Sequence, residues 1–154
     1  MNAGRRDTQS IAALFLRSAG GLLFILGLVH LAATPHIPAL LDGSPPAVYE
    51  QAVGPTLLNH VLVGILLLPI GYTTWLAAAP KERGQAWAIR TLVANAIVVL
   101  TLPVSIAVFM RRAEYYTSPL FLTGVVLVAA LSLLMMVATY HLVRGRGSVS
   151  GWRW

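Results

Sequence analysis

The chain has no cysteine, which excludes disulfides, thiolate metal sites, iron–sulfur clusters and a cysteine nucleophile. Charge is also scarce: Asp, Glu, Lys and Arg make up 10% of the 154 residues, where a soluble domain carries about 25%. A chain so poor in charge and 57% hydrophobic cannot cover its surface with polar groups, so lipid must be most of its solvent. No Asp or Glu falls inside any long apolar run, which removes the intramembrane carboxylate of a proton-coupled exporter. No phosphate-cradling glycine loop, serine nucleophile elbow or pair of buried carboxylates is present. No convincing internal repeat occurs, and no signal peptide is expected, since the first apolar run is too long for an h-region.

What the sequence does contain is four apolar runs, near 11–33, 57–79, 91–110 and 120–143, each near the length of about 20 residues that spans a bilayer. The expectation is an all-α integral membrane protein, a four-transmembrane-helix bundle forming one membrane domain over residues 1–154. A pI near 10.5 could point to nucleic acid, but the basic residues flank the spans and follow the rule that Lys and Arg stay cytoplasmic. Arg5, Arg6, Lys81, Arg83, Arg90, Arg144, Arg146 and Arg153 occupy the N-terminal tail, the second connection and the C-terminal tail. The first connection, "TPHIPALLDGSPPAVYEQAVG", has no Lys or Arg. Both termini are therefore expected in the cytoplasm, in a plasma (inner) membrane, with no nucleic-acid partner. Arg111 and Arg112 break the pattern on the outer side.

The prolines give the expected ends. Thr34-Pro35 should stop the first helix, because the residue before proline is pushed out of helical geometry. Pro55 should open the second helix and Pro119 the fourth, where a missing N–H costs nothing. Pro69 and Pro103 should kink their spans. Between the first two spans lies a proline-rich outer loop of about 20 residues, long for a connection between packed helices. It is expected to fold over the outer end, anchored by Ile37, Leu40 and Leu41.

The first two spans are near mirrors of one another. Inward from the outer surface, the first presents His30, Gly27 and Gly20; the second presents His60, Gly64 and Gly71. Spacings of three, four and seven keep each set on one helical face. Glycines on facing stripes let membrane helices approach closely, so His30 and His60 should meet at similar depth. Neutral imidazole is a metal-binding form. His36 from the loop is an auxiliary ligand, and Glu50, Asp42 or Glu114 a source of carboxylate. Three nitrogens with an open position suit Zn, Cu or Fe. The same glycines also suit haem, with the two histidines as axial ligands. Against both stands packing alone, with interfacial histidines that merely hydrogen-bond between helices.

Three functions remain open on this reading. One is a metal or haem site for redox chemistry or metal delivery. Another is a metal-independent enzyme acting on a lipid or quinone-like substrate, with His30 or His60 as acid or base and Arg111 or Arg112 holding an anionic group. The last is an accessory subunit of a larger membrane complex. His141 lies at the opposite end from the cluster. Asn95, Thr101 and Ser105 read as interhelical hydrogen-bonding groups, Met135-Met136 as packing, and Trp75, Trp87, Tyr115 and Tyr116 as aromatic-belt residues.

Overall fold

Proline and hydropathy together set where the helices run, and the result is longer helices than the apolar runs alone predict. A computed structural model describes residues 3–82, 85–109 and 119–146. The elements are α1 (Ala3–Ala33), a 3-10 turn (Thr34–His36), α2 (Ile37–Leu41), α3 (Pro46–Ala77), α4 (Ala86–Phe109) and α5 (Pro119–Arg146). Among the described residues there is no strand. At 1.5 Å per residue, the 24 residues of α4, the shortest of the long helices, reach about 36 Å. A bilayer core is about 30 Å thick. Among the described residues, four helices are thus long and apolar enough to cross a membrane. Their outward residues agree: Phe15 is 53% exposed, Leu66 58% and Leu127 63%. In water such surface would drive aggregation, and in lipid it is solvated.

The proline-rich connection is not a long loop. Pro35 sits in the first turn of the 3-10 segment and Pro38 in the first turn of α2, while Pro46 opens α3. These are the helical positions where a proline forfeits no hydrogen bond. The non-helical part shrinks to residues 42–45, closed by Ser44 N–H donating to Leu41 O at 2.9 Å. Val48 and Tyr49 N–H both reach back to Pro45 O, at 2.9 and 3.0 Å. Pro55 therefore lies inside α3, like Pro69, and does not open the helix. Of the three expected loop anchors, Ile37 is buried, Leu41 half-buried and Leu40 77% exposed.

Two units emerge. The first comprises Met1–Ala19 and Thr73–Trp154, the second Gly20–Tyr72. In the first, α4 and α5 pack along each other. Buried Ala88, Ile89, Leu92, Ala96 and Val99 form the α4 stripe, and Ser132, Met135, Ala138 and Leu142 that of α5. Apart from adjacent Ala88 and Ile89, intervals of three and four residues put each set on one face. Polar groups inside this unit bond across or along helices. Asn95 Nδ2 donates to Thr73 Oγ1 and Thr74 Oγ1, both at 2.9 Å. Ser132 Oγ lies 2.7 Å from Val128 O and 3.2 Å from Val99 O. Met135 is buried while Met136 is exposed, as packing and not paired ligation requires.

The second unit is held differently. Its buried residues include Gly20, Leu23, Gly27, Gly64, Leu67 and Gly71, a matched spacing on α1 and α3. A methyl group added at Gly27 would stand 2.9 Å from Gly64 O. One at Gly71 would stand 2.6 Å from Gly20 O and would collide with Phe24 N. Here backbone meets backbone, an approach only glycine permits.

Candidate functional site

The glycine contacts bring two imidazoles together at one end of the second unit. His30 lies in the last turn of α1, His60 within α3, and both are half-buried. Their ring centroids are 4.6 Å apart with planes inclined by 26°, a stacked arrangement. The first step of the stripe inward, Gly27 against Gly64, sets this distance. A bulkier residue at either position would push the two helices apart and the rings with them.

Hydrogen bonding assigns the protons. His30 Nδ1 is 3.0 Å from Leu26 O, and a carbonyl oxygen only accepts, so His30 carries its hydrogen on Nδ1. Thr34 Oγ1 donates to His30 O at 2.8 Å. Its single proton being used there, Thr34 Oγ1 accepts from His60 Nδ1 at 3.2 Å. In the neutral state both rings are therefore Nδ1–H tautomers with the lone pair on Nε2. Among the described residues, neither Nε2 has a hydrogen-bond partner. The outcome is two side-by-side imidazoles, oriented through one nitrogen and unengaged at the other. Such a pair can ligate a cation or accept a proton.

Thr34 is the member that sequence reasoning missed. It reads as a helix stop because Pro35 follows. Its position four residues after His30, at the helix end, is the signal that its hydroxyl can return to His30 O.

The other expected ligands do not gather around this pair. His36 is exposed in the 3-10 turn, Asp42 is exposed beyond α2, and Glu50 is exposed near the start of α3. Among the described residues no three His, Asp or Glu side chains come together as a metal cage. Asn59, next to His60, is exposed. His141 is exposed on α5 with Tyr140 edge-on at 5.7 Å. Arg111, Arg112, Glu114, Tyr115 and Tyr116 lie outside the described residues.

Charge distinguishes the setting. Residues 20–72 contain no Lys or Arg, but include Asp42, Glu50 and three of the four histidines. The unit that holds the imidazole pair is thus without competing fixed cations. No family model, curated protein or solved structure matches the chain.

Proposed function

We propose that the protein binds a transition-metal ion, of the Zn, Cu or Fe class, through Nε2 of His30 and Nε2 of His60. The site would lie near the outer face of a plasma (inner) membrane, with both termini cytoplasmic, and would serve redox chemistry or metal delivery. The observation that carries this reading is that Nδ1 of each ring lies within hydrogen-bond distance of an oxygen, which leaves Nε2 unengaged among the described residues. Metal-binding histidines nearly always donate their other nitrogen to a carbonyl, carboxylate or similar acceptor, which fixes the ring and raises its basicity. Leu26 O and Thr34 Oγ1 fill that role here. The absence of Lys and Arg from residues 20–72 favours a cation further.

Ring separation favours a bare ion over haem. With metal–nitrogen bonds of about 2 Å, imidazoles at neighbouring positions of one ion have centroids about 5 Å apart. Axial ligands on opposite faces of one iron would have centroids more than about 6 Å apart, because two such bonds lie end to end. The observed 4.6 Å lies nearer the first value, and because the rings stack with planes inclined by only 26°, they would have to turn for both Nε2 lone pairs to reach one ion. Water or a substrate would complete the coordination, since His36 and Glu50 do not gather around the pair.

Elemental analysis and an absorption spectrum of protein purified in mild detergent test this. A metal near one equivalent, lost in both His30→Ala and His60→Ala, is the expected result. Full metal content in both variants, or a haem spectrum that persists in them, overturns it.

A further inference from the structure

The first unit contains a cation with no hydrogen-bond partner among the described residues. Arg17 is half-buried on α1, between buried Leu16 and Ala19. Its guanidinium carbon sits over the Trp75 ring, 4.8 Å from the centroid. An indole face attracts a cation through its quadrupole. It offers no oxygen to the five N–H donors of the guanidinium. Among the described residues Arg17 has no carboxylate or carbonyl partner; the ring is what holds it. A charge so placed in an apolar helix is costly unless an acceptor reaches it.

The surrounding charge says what kind of acceptor would come. All 11 Lys and Arg residues of the chain belong to this unit. Lys81 and Arg90 are exposed, and Glu82 is the acidic residue with a described side chain. A net positive unit that presents a planar N–H fork, with exposed Trp75 holding it in place, suits an oxyanion rather than a neutral ligand. Trp commonly sits at the headgroup level of a bilayer, where the abundant oxyanion is phosphate.

We propose that Arg17, held over Trp75, binds the phosphate of an anionic phospholipid headgroup. The ring fixes the plane of the guanidinium, and the fork grips two phosphate oxygens as it does in other arginine–phosphate pairs. This site is independent of the histidine pair and of whatever that pair binds.

The test is native mass spectrometry of the full chain released from detergent, with phosphatidylglycerol, phosphatidylcholine or inorganic phosphate added in turn. The expected result is one retained phosphatidylglycerol, held in preference to phosphatidylcholine. Arg17→Gln should lower that retention about fivefold, the worth of one basic residue near an anionic headgroup. Trp75→Leu keeps the cation and removes its platform; it should also lower retention, and carries the test if Arg17→Gln does not fold. Equal retention of the two lipids, or phosphatidylglycerol retained as before in both variants, overturns the proposal. So does inorganic phosphate that displaces the lipid in an Arg17-dependent way, since the ligand would then be a soluble anion.

Discussion

The two units solve the same problem, packing apolar helices, with opposite materials. In Gly20–Tyr72 the contacts that matter join backbone to backbone, at Gly27 with Gly64 and at Gly71 with Gly20. In the other unit α4 packs along α5, and the buried residues are side chains, Ala88, Leu92, Ala96 and Val99 of α4 and Ser132, Met135 and Leu142 of α5. The charges divide as sharply, with every Lys and Arg in the side-chain-packed unit and none in the glycine-packed one. Lipid tails are as apolar as Leu, so helices in a membrane gain from close contact and from hydrogen bonds more than from burial. Where glycine supplies the contact, larger groups at the end of the stripe are forced to meet, and here these are His30 and His60. Where side chains supply it, polar groups such as Asn95 are absorbed into the packing and are structural.

The comparison breaks most readily at Gly71. A methyl there meets Gly20 O and the backbone of Phe24, neither of which can swing aside. Gly71→Ala should cost about 3 kcal/mol, the upper part of the usual range for overpacking. Gly21→Ala, on the same α1 but with nothing within 4 Å of the added methyl, should instead be neutral or stabilise by up to about 1 kcal/mol. Thermal unfolding in detergent measures both, and similar midpoints for the two variants would show that backbone contact is not what holds this unit. Gly64→Ala should fall between, because the nearest obstacle is the Leu31 side chain at 2.8 Å, which can turn.

The next effect concerns the site and not the scaffold. Thr34→Val removes the acceptor of His60 Nδ1 and leaves the glycine contacts untouched. If the pair binds metal, affinity should fall about tenfold, at the lower end of what losing an orienting partner does. Thr34→Ser, which keeps the hydroxyl, should restore it. Metal titration of the two variants sharpens the claim: equal affinity in both means Thr34 merely caps the helix.

Much of this was legible in the residues, and the parts that were not fail for identifiable reasons. Four spans follow from hydropathy, because nothing else explains runs of that length. Hydropathy reports the thickness of lipid, however, and not the extent of the hydrogen-bond ladder. The second span was expected from residue 57, yet α3 begins at Pro46. Pro55 was misleading because a proline at a helix start and one inside a helix look alike in sequence. The meeting of His30 and His60 was readable from spacing alone, since Gly27 and Gly64 sit one turn inward of each. Thr34 was hidden behind Pro35, and its role needs the fold of α1 against α3 within the second unit. The expected ligands His36 and Glu50 rested on proximity in sequence, which says little about where exposed side chains of a short turn and a helix start will lie.

In the side-chain-packed unit the corresponding break is smaller. Asn95→Leu removes both hydrogen bonds to Thr73 and Thr74, yet threonine hydroxyls in a helix can turn to the carbonyl one turn back. Interhelical hydrogen bonds in membranes average about 0.6 kcal/mol each, so a loss of about 1 kcal/mol is expected in the same unfolding experiment. A loss as large as that of Gly71→Ala would erase the distinction between the units.

The smallest expected effect has the opposite sign. Thr139 is buried on α5, and its hydroxyl is the one buried side-chain polar atom with no partner among the described residues. A buried donor left unpaired costs about 1 kcal/mol or more relative to its hydrated state. Thr139→Val keeps the branched shape and removes the unpaired group, so it should stabilise the first unit by up to about 1 kcal/mol. The same Thr-to-Val exchange at Thr34 should instead remove two contacts in the second unit, because there the hydroxyl is engaged on both sides. A destabilised Thr139→Val would mean that this hydroxyl finds an acceptor, and that polar groups in the side-chain-packed unit are satisfied throughout.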